Sequence, residues 1–135
     1  MKTLGILTIS LVLLLFSCKK DSFITSADAR VTITSDTLKY DTVFVTAGST
    51  YRTFKIINEN DQKLRVSSLK LFGGAASAYK INVNGVSGTQ FNNLEINAND
   101  SIYVFAQVNI NPNAANMPFI LRDSIEINYN GKRRL

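Results

Sequence analysis

The clearest structural signal in the chain is the ten-residue stretch Ser101-Ile102-Tyr103-Val104-Phe105-Ala106-Gln107-Val108-Asn109-Ile110. Ile102, Val104, Ala106, Val108 and Ile110 fall on one parity. The other parity carries Tyr103 and Phe105 before fading to Gln107 and Asn109. In a β-strand successive side chains point to opposite faces, so a period of two with one apolar parity predicts a strand lying on a core. A helix would scatter the same residues around its circumference.

The same alternation recurs on both sides of this strand, punctuated by Asn, Asp, Gly and Ser. Val31 and Ile33 alternate with Thr32 and Thr34, and Val43 and Val45 flank Phe44 before a turn at Ala47-Gly48-Ser49. Phe54 and Ile56 alternate with Thr53 and Lys55, ending in the polar cluster Asn58 to Gln62. Leu64 and Val66 share one parity but Leu69 and Leu71 take the other, so the phase slips at Ser67-Ser68, as at a β-bulge. Gly73-Gly74 opens a loop before Tyr79, Ile81 and Val83. Gly85 to Gly88 reads as a turn, Phe91, Leu94 and Ile96 as a short irregular strand, and Pro118 to Tyr129 as a last strand with Arg122, Ser124, Glu126 and Asn128 facing outward. About eight strands at this spacing predict an all-β antiparallel sandwich, with a closed barrel as the other architecture the spacing allows.

Composition narrows the chemistry. The 135 residues include no His, no Trp and one Cys, so Ser-His-Asp and Cys-His pairs, imidazole ligands, intrachain disulfides and Cys-cluster zinc sites are excluded. The formal net charge is +5, but the cations sit at the ends: Lys2, Lys19 and Lys20, then Lys132, Arg133 and Arg134. Between Asp21 and Gly131 nine basic residues face ten acids, and nothing there points to nucleic acid.

The N-terminus supplies an address. Lys2 precedes Leu4 to Phe16, thirteen residues interrupted only by Gly5, Thr8 and Ser10. A spanning helix needs roughly 20 apolar residues. A cationic start, a short apolar core and a small residue at its end describe a secretory signal peptide. Leu15-Phe16-Ser17-Cys18 resembles the lipobox of bacterial lipoproteins, with Phe16 bulkier than that family prefers. The resemblance implies removal of residues 1–17, a signal helix, and lipidation of Cys18, whose two or more acyl chains give stable anchoring. Cys18-Lys19-Lys20-Asp21 is similar to the start of Bacteroidetes outer-membrane lipoproteins, which implies attachment at the cell surface or facing the periplasm. Residues 18–28 are expected to be a flexible tether and 29–135 the folded domain.

Within that domain, Thr42-Val43-Phe44-Val45, the Gly48 turn, Arg52-Thr53-Phe54-Lys55-Ile56, the Asn-rich turn and Leu64-Arg65-Val66-Ser67-Ser68 resemble the Ig-like modules of abnormal-spindle/hydin type. The similarity is best over 36–71 and implies an Ig-like sandwich rather than an activity. Asn130-Gly131 is a two-residue hairpin signal with only Lys132 to Leu135 left to pair back. Either a short cationic edge strand closes the sheet or the chain is part of a longer protein, the latter being the favoured expectation.

Four tripeptides pair Asp with a hydroxyl residue and an aliphatic one: Asp36-Thr37-Leu38, Asp41-Thr42-Val43, Asp100-Ser101-Ile102 and Asp123-Ser124-Ile125. They resemble the O-glycosylation acceptor of Bacteroidetes, which implies sugars on Thr37, Thr42, Ser101 and Ser124. An Asp and a hydroxyl residue leading into a strand is also ordinary turn chemistry. Oxygen ligands cluster at Asn58 to Asp61 and Asn97 to Asp100, again as turns require, so no metal or other cofactor is expected. Tyr103 and Phe105, opposite the main apolar parity, are the aromatic pair to test for ligand contact, with packing under a loop or against a neighbouring domain as the favoured expectation. The expectation from sequence is therefore a non-catalytic, lipid-anchored module in adhesion or envelope assembly, or a spacer for further domains, contacting an envelope protein. The alternative is a carbohydrate-binding module.

Overall fold

A computed structural model describes residues 22–41, 43, 49–110 and 120–135. The signal segment, the lipobox Leu15, Phe16 and Ser17, Cys18, Thr42 and Phe119 lie outside the described residues, as do Phe44 to Gly48.

Nine strands form among the described residues: β1 (Val31–Ile33), β2 (Arg52–Asn58), β3 (Leu64–Leu71), β4 (Tyr79–Val83), β5 (Val86–Gly88), β6 (Gln90–Ile96), β7 (Ser101–Val108), β8 (Ile125–Tyr129) and β9 (Lys132–Arg134). They make two antiparallel sheets, ordered β1-β2-β7-β4-β5 and β6-β3-β8-β9. The sheets pack face to face as a sandwich, not a closed barrel. An Ig constant-type sandwich places strands A, B, E and D in one sheet and C, F and G in the other. Here β1, β2, β7 and β4 occupy the A-B-E-D positions and β3, β8 and β9 the C-F-G positions, in matching chain order. Strands β5 and β6 are inserted between D and E: β5 extends the first sheet past β4, and β6 crosses over to flank β3.

The core follows from the alternation. Phe54 and Ile56 of β2, Ile81 and Val83 of β4, and Ile102, Val104 and Ala106 of β7 meet Leu64, Val66, Leu69 and Leu71 of β3, Ile96 of β6, and Ile127 and Tyr129 of β8. Burying such side chains stabilises by about 1.5–3 kcal/mol each. The phase slip in β3 is a register shift between Val66 and Ser68 against β8, while the pairing of β3 with β6 runs on without a shift. A single extra residue thus lets all four aliphatic side chains of β3 face inward.

Two sequence expectations need correction. Gly85 to Gly88 is not a turn; the turn is Asn84-Gly85, with φ of 53° and 83°, and Val86–Gly88 returns as β5 with Val83 opposite Val86. Both central residues with positive φ are what a tight hairpin following the sheet twist requires, and Asn-Gly is the pair that tolerates it. The strand expected over Pro118 to Tyr129 begins only at Ile125. Glu126, on the outward parity as read, is not open to solvent there but covered, at 7% exposed. At the C-terminus, Asn130-Gly131 turns with φ of 46° and 74°, and β9 pairs back with Asn128 opposite Arg133. Its three cations line an edge, where charge discourages further strand pairing.

Of the expected tether, the described residues Ser22 to Asp28 run along the sandwich. The Ile24 amide donates to the Lys63 carbonyl at 2.8 Å and the Lys63 amide to the Ser22 carbonyl at 3.1 Å. Asn130 Nδ2 donates to the carbonyls of Ile24 and Ser26, and the Arg65 guanidinium lies 4.1 Å from the Phe23 ring centroid.

Candidate functional site

The outward face of the first sheet is set by the parity opposite the core. Strand β2 contributes Thr53 and Lys55, β7 contributes Tyr103, Phe105 and Gln107, and β4 contributes Lys80 and Asn82. Register places these in rows: Thr53 opposite Phe105 and Phe105 opposite Asn82, Lys55 opposite Tyr103, Lys80 opposite Gln107. Tyr103 and Phe105, the aromatic pair singled out from the sequence, are therefore neighbours on one exposed surface, and no loop among the described residues covers them. Their rings stack at 6.1 Å with 25° between planes. Tyr51, just before β2, meets Phe105 edge to face at 6.5 Å and 88°. Lys55 Nζ lies 4.5 Å from the Tyr103 centroid.

Tyr51, Tyr103 and Phe105 are 61%, 46% and 36% exposed, so the ladder of rings is a surface feature and not a roof over the core. Beside it runs a groove of about 470 Å³ lined by Thr37, Leu38, Lys39, Tyr51, Arg52 and Thr53. Next to Lys39 in the chain, Tyr40 meets the Tyr79 ring edge to face at 6.0 Å, its hydroxyl donating to the Ala106 carbonyl at 2.6 Å. Burial pushes the Tyr40 hydroxyl above its ordinary pKa, with Tyr79 adding to the effect, so it remains a neutral donor. An exposed ring face next to polar side chains can stack on an apolar ligand surface while its neighbours hydrogen-bond.

Charge is distributed unevenly between the sheets. The strands of the first sheet carry Arg52, Lys55 and Lys80 and no carboxylate. The two strand acids are both in the second sheet. There Glu95 pairs with Arg65 at 3.5 Å, and Glu126 pairs with Lys70 at 3.3 Å and with Arg133 at 2.7 Å. Asn128 Nδ2 also donates to Glu126, which explains how this carboxylate is covered yet charged. That hydrogen bond, then Lys70 and Arg133, holds its pKa down against the opposing effect of desolvation.

The remaining candidates are dispersed. Thr37 is exposed at the groove, Ser101 is half-buried at the start of β7, and Ser124 is exposed ahead of β8. Asp100 and Asp123 each accept, at 2.7 Å, the amide of the serine that follows. Asp123 also accepts from the Gly73 amide and from Ser77 Oγ, fixing the turn at one end of the sandwich. The two oxygen-rich turns lie side by side, where Asn58 Nδ2 donates to the carbonyls of Gln62, Ile96 and Asn97. An amide thus sits where those carbonyls converge. Among the described residues no three His, Cys, Asp or Glu side chains cluster so as to hold a metal ion.

Sequence reasoning missed Tyr51, Lys55 and Lys80 as parts of this surface. Their outward parity was readable for Lys55 and Lys80, but the adjacency of β2, β7 and β4 joins residues 48 positions apart for Lys55 and Tyr103 and 27 apart for Lys80 and Gln107. Compared with protein-family models, curated proteins and solved structures, the chain matches none.

Proposed function

We propose that the chain is a lipid-anchored, non-catalytic Ig-like module of a bacterial outer membrane, acting in adhesion, envelope assembly or as a spacer for further domains. The observation that carries this reading is the placement of the single Cys18 directly after a short apolar run and the small residue Ser17, ahead of a folded sandwich. A lone thiol in that position has no disulfide partner, and acylation is the chemistry that uses it. Because the chain is held along the sandwich from Ser22, only Lys19, Lys20 and Asp21 separate the acylated residue from docked backbone. Three residues span at most about 10 Å, so the sandwich would stand close to the bilayer, on the side where Ser22 meets Gln62 and Lys63. The non-catalytic reading rests on the absence of His and the scatter of the carboxylates.

Growth of the native host with labelled palmitate tests the anchor: the protein takes up label and Cys18→Ser abolishes it. An unlabelled wild-type protein would end this reading. Protease shaving of intact cells then separates surface display, which predicts loss of the protein, from a periplasm-facing position.

The ring ladder of Tyr51, Phe105 and Tyr103 favours a second reading, a carbohydrate-binding module of a surface glycan-handling system. Glycan-array binding lost on Tyr103→Ala supports it. Co-purification of an envelope protein through this face, without sugar binding, supports the adhesion or assembly role instead.

A further inference from the structure

We infer that the outward face of the first sheet binds an acidic polysaccharide, a pyranose chain bearing carboxylate or sulfate groups. The inference rests on the carbohydrate-binding reading and goes beyond it by assigning the charge of the ligand. The domain between Asp21 and Gly131 has nearly balanced charge, yet no carboxylate lies within a strand of this sheet, and that of Glu59, just past β2 at the border of its outward face, is engaged by the Thr32 hydroxyl of β1. Two cations border the rings on this face, Lys55 over Tyr103 and Lys80 in the row next to Phe105; a third, Arg52, lies opposite Ala106 on the core-facing parity and lines the groove beside Tyr51. Among the described residues none of the three has a carboxylate within ion-pair distance, whereas the strand acids of the second sheet are all paired.

An unpaired cation next to an exposed aromatic ring offers a ligand two complementary contacts. The ring packs against the apolar C–H face of a sugar, and the cation takes the anionic substituent at its rim. Lys55 is positioned to do this by moving off the Tyr103 ring, because a cation over an exposed ring is held by only a weak attraction. Neutral glycans would use the rings alone and leave the cations solvated. An acidic peptide would use the cations but has no C–H face to set against the near-parallel Tyr103 and Phe105 rings.

The test is titration of the full-length protein in detergent with polygalacturonate oligosaccharides, a neutral galactan of equal length, chondroitin sulfate and polyglutamate. Binding to polygalacturonate or chondroitin sulfate at least tenfold tighter than to the galactan is expected, and the stronger of the two identifies the anionic group. Lys55→Ala and Lys80→Ala should each weaken binding about threefold to fivefold, and Tyr103→Ala about tenfold. Tyr103→Phe should keep most of the affinity, and Lys132→Ala, on the far edge of the second sheet, should have no effect. Raising salt should weaken binding by screening. Polyglutamate binding as tightly, or Lys132→Ala costing as much as Lys55→Ala, would reduce the effect to unspecific attraction and overturn the inference. Tight binding of galactan alone would overturn the charge assignment and leave the carbohydrate reading standing. Binding of no glycan would end both, with circular dichroism confirming that each variant remains folded.

Discussion

Lys55 and Tyr103 face each other directly across the β2–β7 pair, with the lysine Nζ 4.5 Å from the tyrosine ring centroid. The contact joins two residues 48 positions apart and sits on the solvent side of the sheet. Exposed cation–π pairs contribute about 0.5–1 kcal/mol. A double-mutant cycle of Lys55→Ala and Tyr103→Ala, read by urea unfolding, should return a coupling of that size. Strict additivity of the two substitutions would show that the pair contributes nothing to stability.

Asn58 is completely buried and its Nδ2 serves carbonyls from three separate positions, while its Oδ1 accepts from the backbone and side chain of Asn60. Removing the amide leaves buried acceptors unpaired, which costs about 1–3 kcal/mol. Asn58→Asp should be at least as harmful as Asn58→Ala, because a carboxylate would face carbonyl oxygens where a donor is required. Comparing the urea midpoints of the two variants measures this ordering. An Asp variant with wild-type stability would contradict it.

Glu126 links stability to pH. Its carboxyl is held below the ordinary value of 4.5, first by the Asn128 hydrogen bond and then by Lys70 and Arg133. A carboxylate whose folded pKa is depressed stabilises the fold fully above its unfolded pKa, and that stability is lost as pH falls through the folded value. Urea midpoints measured from neutral pH downward should therefore decline below about pH 4.5, and Glu126→Gln should flatten part of that decline. An unchanged profile in the variant would assign the acid sensitivity to other groups.

Gly85 has a φ of 83° with nothing within 4 Å of the position a Cβ would take. Gly85→Ala would meet open space, so its cost is conformational alone, about 1–2 kcal/mol for a left-handed backbone. Urea unfolding measures that loss. Gly73→Ala is a harsher change of a different kind, because its Cβ would come within 2.9 Å of Asp123 Oδ2, the oxygen that also accepts from Ser77.

How far the fold could be read in advance depended on the range of the information needed. The inward parity of β7 and the slip at Ser67-Ser68 are local properties, and the structure reproduces both. Gly85 to Gly88 misled because composition was weighed over position: two glycines suggested a turn, while the Asn84-Gly85 pair just upstream carried the hairpin chemistry. Glu126 marks a different limit. Its parity does point outward, but Lys70 and Arg133 from the neighbouring strands and Asn128 from its own lie over it, and no alternation pattern records what neighbours will cover. For the candidate site, Tyr103 and Phe105 were legible as an outward aromatic pair, whereas Tyr51 and the cations beside them were not.

From sequence alone came the all-β class, the inward faces, the hairpin at Asn130-Gly131, and the lone Cys18 on which the anchoring proposal rests. These depend on residue type and on neighbours one to four positions away, which is the range over which backbone preference and side-chain alternation act. The order β1-β2-β7-β4-β5 and the segregation of strand acids into the second sheet were decided only in three dimensions. Strand pairing joins segments distant along the chain, and it alone determines which outward side chains become neighbours on one surface.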